Sequence, residues 1–357
     1  MINKIYSIVG VMSGTSLDGV DLCWVKFSKK EDWSFDILAA ETHAYAPSIK
    51  SRLQSAMTMS SEALIKLDRD YTMHLADCLK LFIEKYNIKN LDAVCSHGHT
   101  IFHQPDKGIT LQIGNLPILA DATKQTVVCD FRVQDVAMGG QGAPLVPIGD
   151  LLLFPQYDFC LNLGGFANIS FQSNSQRIAF DICPANITLN HYAQLLGCPF
   201  DKNGEFAKKG TLHSPLLEAL NNLEFYKKQP PKSLGLEWVQ NEIYALVDNF
   251  DLPPHSILRT LVEHSAIQIV NILKKQDLKR GLYTGGGVLN SFLMKRISQR
   301  YTHQISDVNL DLVHYKEALI FGFLGALKLR GEVNCLQTVT GAKQDHSSGK
   351  IYFYSSN

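Results

Sequence analysis

The segment GVMSGTSLDGVD, Gly10 to Asp21, constrains the fold more strongly than any other part of the sequence. It places glycine, serine, threonine and aspartate, which favour turns, between the apolar runs IYSIV and LCWVKF, which both have the composition of β-strands. Two such runs joined by a short polar segment predict a β-hairpin with a glycine-rich tip. The segment LNLGGFANIS, Leu161 to Ser170, repeats this plan in the second half of the chain, although the two segments share little sequence.

Each predicted tip has the composition of a phosphate-binding turn. Backbone N–H groups in a tight turn form a concave nest that binds phosphate oxygens, and glycine keeps side chains out of it. Two such nests facing one another would clamp a polyphosphate. The alternative interpretation of the first tip is an ordinary hairpin turn. Neither a Walker A motif nor a G-x-G-x-x-G motif after a strand occurs, which argues against P-loop and Rossmann sites. The candidate phosphate-binding residues are Gly14, Thr15, Ser16 and Gly19 in the first tip and Gly164, Gly165 and Asn168 in the second.

The remaining sequence alternates between strand and helix patterns. Apolar residues at helical spacing predict an amphipathic helix near Ser61 to Tyr86, and LDAVCSHGHTIFH and QTVVCDF have strand patterns. RIAFDICPAN is interpreted as a strand ending at Asp181, and GLYTGGGVLN as a strand that runs into three glycines. In KEALIFGFLGALKLR, Gly322 and Gly325 suit a helix packed closely against another backbone. Alternating strands and helices over 357 residues predict an α/β protein of two domains.

The composition narrows the class of ligand. Lys plus Arg and Asp plus Glu both number 34, so no charge excess favours nucleic acid or an anionic membrane as a partner, and a small molecule is expected. The eight cysteines occur singly, without a C-x-x-C pair, and are predicted to be buried free thiols. The run IYSIVGVM is interpreted as a first strand rather than a signal peptide, and no run approaches the roughly 20 residues of a membrane span. We therefore expect a soluble, cytoplasmic protein.

Three histidines, His97, His99 and His103, lie within seven residues and raise the question of a metal site. On a regular strand the three side chains would share one face. No H-E-x-x-H pattern or nearby carboxylate completes a hydrolytic zinc site. The sequence leaves two alternatives open here, a metal site and the polar wall of a pocket.

Six sequence blocks, in the same order along the chain, resemble those of the anhydro-N-acetylmuramic acid kinases, a family of the actin, hexokinase and Hsp70 superfamily. The resemblance covers nearly the whole chain, and its first two blocks are highly specific. The blocks are GVMSGTSLDGVD, DFRVQDVAMGGQGAPLVP (Asp130 to Pro147), LNLGGFANIS, TGGGVLN (Thr284 to Asn290), KEAL (Lys316 to Leu319) and VTGA (Val339 to Ala342).

The resemblance implies a two-domain actin-like ATPase fold, a duplicated ribonuclease H-like fold, that binds ATP in the cleft between its domains. We expect an N-terminal domain of residues 1–125 plus 338–357 and a second domain of residues 126–337. Both hairpin tips would face the phosphates of ATP, and Gly285, Gly286 and Gly287 would lie near the adenosine. Mg²⁺ is the expected metal, with Asp18 helping to hold it through bound water. The resemblance also implies a homodimer.

The implied reaction is a step of cell-wall sugar recycling. Water opens the 1,6-anhydro bridge of anhydro-N-acetylmuramic acid while the freed O6 takes the γ-phosphoryl group of ATP, giving N-acetylmuramic acid 6-phosphate. Such a reaction needs a general base for the water that attacks C1. Asp181 matches the catalytic aspartate of the family, with a turn or helix cap as its alternative role. Many members read FDTGPGN here, whereas this chain reads FDICPAN, which puts the contacts of the loop in question.

The resemblance further implies four sugar-binding residues. Arg132 suits the lactyl carboxylate or sugar hydroxyls, with an exposed surface arginine as the alternative. Glu317 matches a residue near the sugar, with an exposed glutamate in the first turn of a helix as the alternative. His97 and Thr100 match a stretch that lines the sugar pocket, in which His99 stands where the family usually has glutamine.

Other functions remain open from the sequence. The same fold would serve a kinase for another sugar, or a nucleotide-dependent switch with no sugar requirement. A metal-dependent hydrolase built on the three histidines would work without ATP. The polar residues near Arg132 and Asp181 favour an enzyme over a switch, because a switch has no use for a second pocket.

Overall fold

A computed structural model describes residues 4–14, 17–306 and 308–354. The chain divides into two compact units, Met1–Leu153 with Tyr315–Asn357 (unit 1) and Phe154–His314 (unit 2). The sequence places the divisions after residues 125 and 337 instead. The two divisions differ because the strand Val127–Cys129 pairs with the sheet of unit 1, and because the helix Leu310–Leu329 packs on that same sheet.

Unit 1 contains a seven-stranded sheet in the order β12-β6-β4-β1-β2-β3, with β5 added to β4. Strand β2 pairs antiparallel with both β1 and β3. Strands β4 and β6 run parallel to β1. The strands are β1 (Ile5–Ser13), β2 (Gly19–Lys29), β3 (Trp33–Ala44), β4 (Ala93–Gln104), β5 (Ile109–Ile113), β6 (Val127–Cys129) and β12 (Lys350–Tyr352).

Unit 2 contains a five-stranded sheet in the order β11-β10-β7-β8-β9. Strand β8 pairs antiparallel with both β7 and β9. Strands β10 and β11 run parallel to β7. The same order and directions in both units make the fold a duplicated ribonuclease H-like α/β fold, which confirms the predicted fold class and the internal duplication. The strands are β7 (Phe159–Leu163), β8 (Phe166–Ser173), β9 (Gln176–Pro184), β10 (Arg280–Thr284) and β11 (Gln304–Ile305).

Helices connect these strands, and the predicted helix near Ser61 to Tyr86 is confirmed. Between β1 and β6 lie α1 (Pro47–Ser55), α2 (Ser61–Lys85) and α3 (Ile118–Thr123), followed by α4 (Val133–Ala137) and α5 (Pro147–Leu153). Unit 2 adds α6 (Asn186–Gln194), α7 (Glu205–Lys209), α8 (Ser214–Asn221), α9 (Leu236–Trp238), α10 (Ala245–Val247), α11 (Pro254–Lys275) and α12 (Ser291–Arg300). The last helices are α13 (Leu310–Leu329) and α14 (Gln337–Thr340).

Helix α13 packs on the sheet of unit 1 at unusually short range, as its glycines predict. A methyl group on Gly10 of β1 would overlap the carbonyl oxygen of Ala318, and one on Gly325 would overlap Sγ of Cys95 on β4. Gly322 lies directly against Gly10. Glycine is needed at Gly10 because the backbones of β1 and α13 approach too closely there for any side chain, and at Gly325 because the Cys95 side chain occupies the space.

A buried glutamate joins two helices of unit 2. Glu263 of α11 is fully buried and accepts hydrogen bonds from three guanidinium groups. Arg259 lies one turn away on α11, at 2.6 Å, and Arg296 and Arg300 reach it from α12. These charge-assisted bonds lower the pKa of Glu263 to about 2, against the opposing effect of burial.

The cysteines behave as predicted. All eight are free thiols, and all are buried except Cys198, which is half-buried. Within residues 4–14, 17–306 and 308–354, no helix has both the length and the apolar character needed to cross a membrane.

Candidate active site

The first glycine-rich segment forms the predicted hairpin between β1 and β2. The carbonyl oxygen of Gly14 accepts a bond from the N–H of Leu17 at 3.3 Å, and Asp18 is exposed. A side chain on Gly19 would overlap the backbone of His43 on β3, so only glycine fits there. Thr15 and Ser16 lie outside the described residues.

A buried polar cluster lies at the end of β1, next to this hairpin. The hydroxyl of Ser13 is 2.5 Å from that of Tyr45, and it also contacts Tyr71 and Nδ1 of His99 at 2.8 Å. Burial lowers the pKa of His99 to about 4, so its imidazole is neutral at neutral pH. Sequence reasoning missed Ser13, Tyr45 and Tyr71, because they are far apart in the chain and no local pattern joins them.

His97 and Arg132 form a direct pair in unit 1. Nδ1 of His97 donates to the carbonyl oxygen of Gly98 at 2.9 Å, so Nε2 is free to accept a bond of 2.8 Å from Nε of Arg132. Burial and the charge of Arg132 lower the pKa of His97 well below its usual value. Nη1 of Arg132 donates to the carbonyl oxygen of Gly142 at 2.5 Å. Arg132 is therefore a half-buried, fixed residue and not a free surface arginine.

Burial lowers the pKa of Arg132 to about 10, and the nearby charge of Glu317 opposes this effect. Arg132 remains a cation at neutral pH. Glu317 is solvent-exposed. Because α13 begins at Leu310, Glu317 lies about two turns inside the helix. The alternative of a first-turn glutamate is therefore wrong.

The three histidines of β4 do not converge on a metal site. His97 bonds to Arg132, His99 to Ser13, and the exposed His103 to Thr110 at 3.1 Å. Gly98 has a φ of +74°, and the pairing register with β5 shifts between Thr100 and Phe102, so the strand does not alternate regularly. The expectation of one shared face is wrong for this reason. Thr100 accepts a bond from the Gln112 amide at 3.3 Å.

The second glycine-rich segment forms a hairpin between β7 and β8 whose tip is held by helix α6. The N–H groups of Ala185 and Ile187 donate to the carbonyl oxygen of Gly165 at 2.8 and 3.1 Å, and the N–H of Asn186 donates to that of Gly164 at 3.1 Å. Both carbonyl groups of the tip are thereby engaged by the start of α6, and the position of the tip is fixed.

The three glycines after β10 lie against the same tip. Gly285 has a φ of +80°, and a side chain there would overlap the backbone of Leu163. A side chain on Gly287 would also crowd Leu163, whereas Gly286 faces open space. The structure therefore brings the glycines of the second hairpin and the TGGG segment together at one end of the sheet of unit 2.

Four polar residues cross this sheet in one row. Thr284 pairs with Asn162, Asn162 with Asn168, and Asn168 with Asp181. Neighbours across strands share a face, and the alternating apolar residues of β7 and β8 point to the core on the other face. Oγ1 of Thr284 is buried and makes no hydrogen bond to any described residue. Sequence reasoning missed Asn162 and Thr284, although the alternation in CLNL marks Asn162.

Asp181 lies within β9 and not at its end, which corrects the sequence interpretation. Asn168 pairs with Asp181 and Ala167 with Cys183, so Ile182 is an extra residue in a β-bulge that turns the strand beside the carboxylate. Oδ2 accepts a bond of 2.9 Å from the N–H of Leu234. Burial raises the pKa of Asp181, and that hydrogen bond lowers it by less.

The bulkier residues of FDICPAN point away from this polar row. Ile182, Cys183 and Ala185 all belong to the buried core of unit 2. Sγ of Cys183 lies 4.0 Å from the carbonyl oxygen of Ser265 on α11. The substitutions relative to FDTGPGN therefore fill the interior behind the loop.

The family model and the relatives found by sequence agree on one family. The model of the anhydro-N-acetylmuramic acid kinase family matches residues 6–354. An anhydro-N-acetylmuramic acid kinase of Pasteurella multocida is 36% identical over 96% of both chains, and one of Haemophilus influenzae is 33% identical over 96% of this chain and 97% of the relative. Among solved structures, the activator of 2-hydroxyisocaproyl-CoA dehydratase from Clostridium difficile has a TM-score of 0.41 at 13% identity, covering 91% of this chain and 97% of its own. A ROK hexokinase from Thermus thermophilus has a TM-score of 0.37 at 13% identity, covering 90% and 99%.

Proposed function

The chain belongs to the anhydro-N-acetylmuramic acid kinase family, and from this premise we propose how its residues act. It is a sugar kinase that phosphorylates 1,6-anhydro-N-acetylmuramic acid, as the curated relatives indicate. We propose that water opens the anhydro bridge in the same reaction, so that the product is N-acetylmuramic acid 6-phosphate. The match over residues 6–354 carries this assignment, and it leaves no support for a hydrolase built on the three histidines.

We assign the general base to Asp181. A base must hold its carboxylate in one orientation and must accept a proton from water near neutral pH. The Leu234 N–H fixes Oδ2, and burial raises the pKa of the carboxylate, which makes it a better proton acceptor than an exposed aspartate. The water must attack C1 on the face opposite the departing O6. A role as a helix cap is not favoured, because the carboxylate binds a loop N–H.

We assign nucleotide binding to the glycine-rich segments of each unit. In unit 2 the fit to ATP rests on the open space at Gly286 and the unpartnered Oγ1 of Thr284 within the described residues, beside the fixed hairpin tip. Gly164, Gly165 and Asn168 would bind phosphate oxygens, and Gly285, Gly286 and Gly287 would lie near the adenosine.

In unit 1, Gly14 and Gly19 would bind phosphate oxygens, and the exposed carboxylate of Asp18 would hold Mg²⁺ through water, as this ion prefers. Thr15 and Ser16 remain assigned to the phosphates from the sequence alone. ATP supplies the phosphoryl group when bound, and Mg²⁺ neutralises its charge.

We assign the sugar site to residues of unit 1. The guanidinium of Arg132 is held through Nε and Nη1, which leaves Nη2 for the lactyl carboxylate of the sugar. His97 orients this guanidinium, and Thr100 and Glu317 would bind sugar hydroxyls. We further propose that the enzyme acts in the cytoplasm and forms a homodimer, as the family resemblance implies.

An isotope experiment tests this function. The protein is incubated with Mg-ATP, the anhydro sugar and ¹⁸O water, and the product is analysed by mass spectrometry. We expect phosphosugar carrying one ¹⁸O from the wild type and from Asp251→Asn, an exposed carboxylate of the same unit, and little phosphosugar from Asp181→Asn. Labelled product from Asp181→Asn at the wild-type rate would exclude Asp181 as base. Phosphate release with the sugar untouched would instead support a nucleotide switch.

A further inference from the structure

A cluster of three buried side chains in unit 1 has no part in the proposed reaction. Asp135, Cys335 and His346 each place one potential ligand atom within 4.8 Å of the others, and within the described residues no other group of His, Cys, Asp and Glu does so. Asp135 lies on α4. Cys335 and His346 are held side by side by two backbone hydrogen bonds of 3.1 Å. All three side chains are at least nine-tenths buried.

The carboxylate of Asp135 lies at the centre of the cluster. Its Oδ1 is 3.0 Å from Sγ of Cys335, 2.7 Å from Oγ1 of Thr340 and 3.6 Å from Nε2 of His346. Its Oδ2 accepts a bond from the N–H of Gly142 at 2.7 Å. The thiol and the hydroxyl therefore both point at one oxygen.

The tautomer of His346 leaves a lone pair in this buried space. Nδ1 lies 3.1 Å from the carbonyl oxygen of Gln344, which can only accept, so Nδ1 carries the proton. Nε2 then makes no hydrogen bond to any described residue and faces a carboxylate oxygen. Two electron-rich atoms facing one another away from water are unfavourable unless a cation or a proton lies between them.

We propose that Asp135, Cys335 and His346 bind a zinc ion. Thiolate, imidazole and carboxylate are the ligands that zinc takes in proteins, and the thiolate disfavours Mg²⁺. On binding, the S–H bond of Cys335 breaks, its proton leaves to solvent, and a sulfur–zinc bond forms. Two anionic ligands balance the charge of Zn²⁺, so the site is neutral overall, which suits its burial. The Thr340 hydroxyl or one water would complete four ligands.

The ion would have a structural role. It would tie the C-terminal segment that carries Cys335 and His346 to α4. The same carboxylate holds the N–H of Gly142, whose carbonyl oxygen accepts the bond from Arg132. Zinc binding would therefore stiffen the loop that positions Arg132, without contact to any reacting group.

Metal titration of the full chain tests this site without ATP or sugar, so its failure is separate from any failure of the kinase function. Chelator-treated protein is titrated with Zn²⁺ against a coloured competing chelator, and Co²⁺ replaces Zn²⁺ for absorption spectra. We expect one equivalent bound by the wild type and a cobalt–thiolate absorption band.

Cys335→Ser keeps a hydroxyl donor to Asp135 and so preserves the fold. It should lose the band and bind zinc at least about tenfold more weakly, as should His346→Gln. Cys95→Ala, another buried thiol of unit 1, is the matched control and should bind like the wild type. Equal zinc affinity in the wild type and Cys335→Ser, or no binding by the wild type, would overturn the proposal. The second result would indicate that Nε2 of His346 carries a proton and pairs with Asp135.

Discussion

The substitution Glu263→Gln should lower the free energy of unfolding by an amount that depends on pH. Three arginines hold the native carboxylate ionised and lower its pKa from 4.5 to about 2. A lowered pKa stabilises the folded state above the unfolded pKa, and that contribution is lost as pH falls through the folded pKa. Glutamine cannot ionise, so the variant lacks this contribution at every pH.

The magnitude follows from the pKa shift. Each unit corresponds to about 1.36 kcal/mol, which gives an upper limit of about 3.4 kcal/mol at pH 6. Because the arginine side chains retain 15 to 33% of their exposure, solvent screening reduces this to about 2 kcal/mol. At pH 3 the carboxylate is almost fully protonated in the unfolded state and still mostly ionised in the folded state, so linkage leaves less than half of the pH 6 value.

Urea denaturation at pH 6 and pH 3, monitored by circular dichroism, measures the unfolding free energies of the two proteins. The gap in unfolding free energy between wild type and Glu263→Gln should shrink by about 1 kcal/mol between the two pH values. Glu237→Gln, an exposed glutamate of the same unit, should show no such change. A gap that stays constant from pH 6 to pH 3 would refute the assignment of the stabilisation to the ionised carboxylate.

Two further predictions concern the assigned site. Gly286→Ala adds a methyl group in open space, so thermal stability should be retained while the KM for ATP rises several-fold; an unchanged KM would remove Gly286 from the nucleotide site. Arg132→Lys keeps the charge but loses the planar guanidinium that binds His97 and Gly142. We expect kcat/KM for the anhydro sugar to fall by about 10- to 100-fold, which corresponds to the roughly 1.5–3 kcal/mol of a charge-assisted hydrogen bond. A variant with the wild-type kcat/KM would exclude Arg132 from the sugar site.

The sequence was most informative where structure depends on neighbours in the chain. Both hairpins, α2 and the close packing of α13 follow from turn residues, helical spacing and small residues, which are local signals. The repeated hairpin plan also indicated the internal duplication, which the common strand order of the two units shows.

Features that depend on distant residues were not predictable in this way. The histidines of β4 were expected on one face, but the positive φ of Gly98 and the register shift near Thr100 separate them. The contact of Asp135 with Cys335 spans 200 residues. The unit boundaries differ because the chain leaves unit 1 after α5 and returns within α13, and composition marks neither position.

The hydrogen bonds between the second hairpin tip and the start of α6 have a consequence for how relatives of this chain are recognised. Because the backbone N–H groups of residues 185–187 make these bonds, the bonds require no particular side chain between Asp181 and Asn186. Those side chains face the interior, so their size can vary with the space that the neighbouring core residues leave. A search pattern that demands glycine in this loop would discard this chain, whereas one that demands only the aspartate, the proline and the asparagine would retain it.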